Sequence, residues 1–228
     1  AGQSDPLRYP QRKSHKPIAV FNCTARCNLR CLHCYSSSSG AAGSTELDTS
    51  QAKQLIDQLA EYGCPVVLFS GGEPLLREDL FELIEYAGRK GRKTVLSTNG
   101  TLIDTETAKR LAGLELGDAG MSLKGPEELH DLFRGKHGAF RATMKGIENC
   151  RAHGIRTGLR FTMTQQNHEH VGKVFDIAED ARVRRLCFYH LIRTGRARDL
   201  VDQALPPEAV RRAIDHILER TDAAVNDD

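Results

Sequence analysis

Six short apolar runs recur along the 228 residues, each parted from the next by a longer stretch with helical patterning. The runs are Ile18–Cys23, Val66–Ser70, Thr94–Ser97, Ala119–Leu123, Gly158–Met163 and Arg185–Ile192. Runs of this length read as strands buried on both faces. Helices are expected near Thr49–Tyr62, Asp79–Lys90, Thr105–Ala112, Phe140–His153 and His168–Asp180. Asp48 or Thr49 can cap the first of these, and Ala52, Leu55, Ile56 and Leu59 follow helical spacing. Gly63, Gly91, Gly113 and Gly154 fall where helices should stop. Strands alternating with helices dictate parallel β/α units, and six units are two short of a closed eight-fold barrel. A last amphipathic segment, Pro207–Arg220, carries Val210, Ala213, Ile214 and Ile217 at helical spacing. The organisation expected is a polar tail over 1–16, one core over 17–200, and a terminal helix and tail over 201–228.

The densest chemistry lies just after the first run. Cys27, Cys31 and Cys34 form Cys-x3-Cys-x2-Cys. Three thiolates so close can wrap one face of an iron–sulfur cube, which usually takes four cysteines, leaving one iron open. The competing reading is a zinc site with Cys23 as fourth ligand. Zinc sites usually draw on two separated pairs, however, and Cys23 ends an apolar run that reads as strand. Cys64, Cys150 and Cys187 stand apart and read as packing residues.

Composition removes several classes. Net charge is +2, with no basic block and no Trp, so nucleic acid is not a partner. No apolar run approaches the roughly 18 residues of a membrane span, and Ala1–Lys16 has no apolar signal region. Seven cysteines, an odd number mostly in one cluster, fit a reducing cytoplasm better than a disulfide framework.

A strand followed by this cysteine spacing resembles the radical S-adenosylmethionine (SAM) enzymes. The resemblance implies an open, partial (β/α)6 TIM-like barrel. It also implies a 4Fe-4S cluster on Cys27, Cys31 and Cys34 whose open iron binds SAM, and reductive cleavage of SAM to a 5′-deoxyadenosyl radical. His33 stands where the family usually places an aromatic residue against adenine. Gly71-Gly72-Glu73-Pro74 follows the second strand and matches the family's Gly-Gly-Glu-Pro, which binds the SAM amino group. By itself this is an ordinary strand-to-helix turn; its two glycines allow close backbone approach to a ligand. Ser97 and Asn99, at the third strand's end, and Ser122, on the fourth, match polar residues near the SAM ribose or carboxylate. The family often has Ser-x-Asp-Gly where this chain has Ser122-Leu-Lys124-Gly125, which reverses a charge. Arg160 on the fifth strand corresponds to an arginine that pairs with the SAM carboxylate; alternation alone leaves it facing either way.

Gly158–Thr164, Phe188–Leu191 and Gly195-Arg196 are similar to the tetrapyrrole-modifying branch of that family, the enzymes of heme d1 and siroheme-dependent heme synthesis. This likeness spans about residues 16–200. It implies an iron-tetrapyrrole substrate and a reductant protein such as flavodoxin or ferredoxin. Arg193 and Arg196 are then candidates for the substrate carboxylates, and replacing Arg196 is expected to weaken substrate binding while sparing SAM cleavage. Such enzymes commonly carry a C-terminal extension with an auxiliary cluster; no cysteine follows Cys187 here, so that domain is expected to be absent from these residues. Of Tyr189 and His190, alternation lets only one face the lumen. The mixed charges of Glu127, Glu128, His130, Asp131 and Arg134 read as a solvated helix face. Ser36–Ser44 reads as an exposed linker, with a lid as the alternative.

Overall fold

The computed structural model describes residues 16–41, 46–183 and 185–226. The expected tail, Lys16 apart, lies outside the described residues, as do residues 42–44 of the serine-rich segment. Six parallel strands form one sheet in sequential order: β1 (Ala19–Asn22), β2 (Val66–Ser70), β3 (Lys93–Thr98), β4 (Asp118–Leu123), β5 (Thr157–Met163) and β6 (Leu186–His190). β1 and β6 are its edges, so the barrel stays open. Six strand segments were expected and six are found, each within a few residues of its predicted bounds.

The crossovers are α1 (Thr49–Tyr62), α2 (Leu80–Arg89), α3 (Thr105–Gly113), α4 (Glu127–Arg134), α5 (Ala139–Ala152) and α6 (Val171–Asp180); α7 (Pro207–Asn226) follows β6. α1 starts on a capping box, in which Asp48 accepts from the Gln51 N–H while the Gln51 side chain accepts from the Asp48 N–H, and it ends on left-handed Gly63. Gly113 departs from expectation: it is the last residue of α3, and Glu115 takes the positive φ instead.

The core lies between the sheet and the helices. Phe69, Leu96, Met121, Leu159 and Phe161 pack outward against Ile56, Leu83, Ile84, Leu111 and Ile147, and all are buried. Each side chain so buried contributes about 1.5–3 kcal/mol. Alternation then sends the other residues of the central strands inward. On β5, Leu159, Phe161 and Met163 join the core, whereas Arg160 and Thr162 line the lumen. The polar face of the sheet therefore becomes the wall of a central cavity at the C-terminal ends of the strands, where parallel β/α folds place their ligands.

Candidate active site

Between β1 and α1 the chain runs through a loop holding Cys27, Cys31 and Cys34. Three separate elements clamp its backbone. From β2, the Gly72 N–H donates to the Thr24 carbonyl at 2.7 Å and the Glu73 N–H to the Arg26 carbonyl at 2.8 Å. From α4, the Arg134 and Phe133 carbonyls accept from the Arg30 and Leu32 N–H groups at 3.1 and 2.9 Å. After β6, the Arg196 N–H donates to the Cys34 carbonyl at 2.9 Å, and its guanidinium donates to the Cys31 and Ser38 carbonyls, both at 2.8 Å.

The glycines of the Gly-Gly-Glu turn are needed for this clamp. A Cβ on Gly72 would stand 2.2 Å from the Arg26 carbonyl oxygen, and one on Gly71 2.3 Å from that of Thr24. Both residues border the cavity, but the close approach they permit is first of all to the cysteine loop. Glu73 corrects the sequence reading. It is fully buried behind the wall, where its carboxylate accepts from the Thr98 hydroxyl at 2.7 Å and from the Asn99 and Leu75 N–H groups at 2.8 and 3.2 Å. It ties β2 to β3 and does not border the cavity. Burial pushes its carboxyl up, against the pull of those three donors.

The serine-rich segment is also corrected. Ser38 is buried, the Ser39 carbonyl accepts from the Cys27 N–H at 2.6 Å, and the Ser36 hydroxyl lies 3.4 Å from Cys34 Sγ and 2.7 Å from the Ser38 hydroxyl. Residues 36–39 are thus part of the cysteine loop. Burial pushes the Cys27 thiol up. Burial acts the same way on Cys34, but the Ser36 hydroxyl, the Ser38 and Ser36 N–H groups and the Arg196 charge outweigh it and bring that thiol down.

The sequence reading took α4 for a solvated helix face and missed its buried side. His130 and Arg134 point inward; only Glu127, Glu128 and Asp131 kept the expected polar surroundings. Arg134 is 5% exposed and spans three partners: Cys31 Sγ at 3.4 Å, His130 Nε2 at 3.3 Å and the Ser122 carbonyl at 2.5 Å. Asp131 accepts from the Gly138 and Phe140 N–H groups at 2.6 and 2.7 Å and so fixes the start of α5. Burial, with the Arg134 and Lys124 charges, takes His130 down to about 2, so its ring is neutral. The available signal was the i, i+4 spacing of His130 and Arg134, which puts both on one helix face, away from Glu127 and Glu128.

Cys27, Cys31, Cys34, His33, Gly71, Gly72, Ser97, Asn99, Ser122 and Arg160 all border a single cavity of about 320 Å³. Arg160, half-buried, reaches across Gly120 on β4 to donate to the Ser97 hydroxyl on β3. Asn99 serves the loop as well: its amide donates to Asn28 Oδ1 at 2.8 Å, and its own Oδ1 accepts from the Thr101 hydroxyl at 2.7 Å. His33 packs edge-on against Phe133, with ring centres 5.5 Å apart. Burial takes its ring down to about 2, helped by the charges of Lys124, Arg134 and Arg196. Lys124, also on the cavity wall, is 2% exposed; burial and the Arg134 charge lower its ammonium to about 7.

The substrate candidates separate. Arg196 borders the cavity, but its guanidinium is committed to the cysteine loop. Removing it would loosen the loop, so the expected sparing of SAM chemistry does not follow. Arg193 is exposed and does not border the cavity. Tyr189 and His190 both border it, because β6 ends there and alternation no longer separates them.

Three thiols on one loop fit an iron–sulfur cluster, whose ligands are cysteine thiolates. Cys23 is 1% exposed in the core and burial pushes its thiol up to about 12, as a packing residue requires. The Nδ1 of His33 is buried without a protein partner beside the thiols, an orphaned polar atom that a bound group would satisfy.

An open parallel barrel with three thiols, a glycine-clamped turn and a basic cavity at its strand ends defines one class, and the chain belongs to the radical SAM superfamily, whose family model matches residues 21–178. Membership implies an iron–sulfur cluster and SAM as cofactors. The Fe-coproporphyrin III synthase of Methanosarcina barkeri is 49% identical over 209 residues, 92% of this chain and 52% of that protein. The pre-heme d1 synthase of Dinoroseobacter shibae is 35% identical over the same shares. The chain thus spans about half the length of the curated relatives it matches. Crystalline SuiB of Streptococcus suis bound to S-adenosylmethionine superposes with a TM-score of 0.76 at 18% identity, over 89% of this chain and 47% of that one, which speaks for the fold alone. No helix among the described residues is long and apolar enough to cross a membrane.

Proposed function

We propose that the chain is the catalytic core of a radical SAM enzyme that modifies a tetrapyrrole, in the heme or heme d1 branch of that chemistry. The single observation that carries the reading is the convergence of Cys27, Cys31, Cys34, Ser97, Ser122 and Arg160 on one cavity. The likeness to the Fe-coproporphyrin III and pre-heme d1 synthases supports the substrate class. Cys27, Cys31 and Cys34 hold a 4Fe-4S cluster in this reading. The chemistry supplied when it is bound is one-electron cleavage of SAM to a hydrogen-abstracting 5′-deoxyadenosyl radical.

The chain's own residues position and shield. Arg134 and Arg196 balance thiolate charge and fix the loop. Arg160, steadied by Ser97, offers its guanidinium fork to the SAM carboxylate beside Ser122. His33, neutral and walled by Phe133, presents a flat ring to adenine. Gly71 leaves backbone open on the cavity side for the SAM amino group. The open mouth between β1 and β6 admits the substrate, with exposed Arg193 at its approach. The odd, clustered cysteines suit a reducing compartment such as the cytoplasm, with a flavodoxin or ferredoxin as electron donor.

The test is anaerobic reconstitution with iron and sulfide, then EPR of the reduced protein with and without SAM. A four-iron signal that SAM perturbs, and 5′-deoxyadenosine release that a tetrapyrrole stimulates, are the expected results. Retention of zinc with no such signal would sink the reading.

A further inference from the structure

Four basic side chains, Lys124, Arg134, Arg160 and Arg196, border the cavity, and among the described residues no carboxylate does. Two of them are engaged with the cysteine loop, Arg134 and Arg196; Arg160 and Lys124 each meet a neutral hydroxyl, that of Ser97 and that of Thr162. Lys124 is the most buried of the four, 2% exposed, and its ammonium donates to the Thr162 hydroxyl at 3.1 Å. Among the described residues no Asp or Glu contributes to its electrostatics; the Arg134 guanidinium repels it, and Cys31 attracts it. A buried cation is costly to hold without an anion; burial and the Arg134 charge already lower this ammonium to about 7, so an anion arriving beside it would restore the charge.

The strand register says where that anion would sit. Ser122 of β4 lies opposite Arg160 of β5, and Leu123 opposite Phe161. Lys124 and Thr162 therefore form the next inward-facing pair, roughly 6–7 Å nearer the mouth than the Arg160 layer. The two layers offer two separate cationic positions in one cavity, and in the reading above the SAM carboxylate takes only the inner one. The cavity, about 320 Å³, is at the small end of ligand sites. A flat macrocycle would lie across the opening, beside the exposed Tyr189 and Ile192, and send only a side arm within.

We propose that Lys124, with Thr162, is the subsite for a carboxylate arm of the substrate. This rests on the tetrapyrrole reading above and deepens it: the cavity accepts the substrate by a propionate-type arm, which the outer layer holds next to the SAM layer where hydrogen abstraction takes place. A lysine here supplies a point charge that tolerates a range of arm angles, which a guanidinium fork would not.

The experiment uses the cluster-loaded protein and fluorescence titration with metal-free coproporphyrin III, which carries four propionates, and with its neutral tetra-amide. SAM affinity is measured alongside. Lys124→Met keeps the stem and removes the charge; Lys124→Arg keeps the charge. The expected result is a tenfold or greater loss of coproporphyrin affinity in Lys124→Met, partial recovery in Lys124→Arg, and no difference between the variants for the tetra-amide. Equal affinities for coproporphyrin in all three proteins would overturn the inference. So would a loss confined to SAM, which would assign the ammonium to the cofactor's carboxylate. If the unsubstituted protein binds neither porphyrin, the tetrapyrrole reading itself fails and the inference falls with it. Thermal unfolding of each variant separates these outcomes from misfolding, since an apolar Met at a buried, unpaired cation should leave the melting temperature equal or higher.

Discussion

Gly72 shows how much one missing methyl group can decide. Its turn sits against the cysteine loop at a separation that no side chain permits, with a Cβ position 2.2 Å from a backbone carbonyl oxygen. Backbone cannot swing aside as a side chain can. Gly72→Ala should therefore cost about 1–3 kcal/mol in urea unfolding and lower the iron bound per chain after reconstitution; wild-type values for both would refute the clamp. Arg134 makes the complementary case, as its buried guanidinium serves a sulfur, an imidazole and a carbonyl at once. Arg134→Gln leaves these partly unsatisfied, and hydrogen bonds from charged donors contribute about 1.5–3 kcal/mol. Denaturant titration should show a loss of that size, and the reduced cluster's EPR signal should shift. The sequence made Cys27, Cys31 and Cys34 plain, because their spacing is itself the ligand set. It did not make Arg134 plain, because a charged residue on a polar helix reads as solvated unless its inward partners are known. Glu73 misled for the opposite reason: its motif is legible, but the carboxylate turns away from the cavity to hold β3.

At the scale of elements, strand alternation carried most of the reading. It put Arg160 on one of two faces, and the apolar neighbours Leu159 and Phe161 decided which once the helices were in place. What alternation could not supply was the lateral neighbour. Arg160 lies over Gly120 because the Cβ that β4 lacks there would stand 2.3 Å from a guanidinium nitrogen. Gly120→Ala should push that guanidinium off Ser97. The displaced group is the end of a flexible side chain, so stability should change by no more than about 1 kcal/mol, while the SAM dissociation constant rises several-fold in equilibrium binding. Unaltered SAM affinity would show that Arg160 is not a carboxylate contact. The two cations at the barrel floor and middle follow one pattern, since Arg185 likewise lies over Gly158 to reach Asp118. Pairing across strands of this kind is invisible to a reading that takes each run alone.

Across the whole molecule the cysteines sort into two populations. Cys23 and Cys150 belong to the core, and burial pushes each thiol up to about 12; Cys27 and Cys34 are only half-buried at the cavity. Both core thiols have folded values above the ordinary 9.0. The stability they contribute is thus complete below pH 9 and is lost as pH rises toward 12. At pH 8 they remain thiols, and the thiolate is the reactive form. Iodoacetamide on the iron-free folded protein at pH 8 should label Cys34 first, since its thiol is brought down, label Cys27 more slowly, since burial pushes its thiol up, and leave Cys23 and Cys150 unmodified until denaturant is added. Equal labelling by mass spectrometry would contradict the burial described. The α/β alternation made the open barrel legible from one end to the other, because glycine stops and apolar runs are local signals. The cavity's charge balance was not legible, because it arises only when β4, β5, α4 and the segment after β6 meet.

The three-sided clamp on the cysteine loop has a consequence in time. Its last fastening, Arg196, lies some 160 residues after the thiols it secures. At ordinary rates of chain elongation this is an interval of roughly 8–30 s, during which the sulfurs are already made but their fence is incomplete. Metal loading on the finished geometry therefore waits for residues made long after the thiols themselves, and the youngest protein is the most exposed to oxygen.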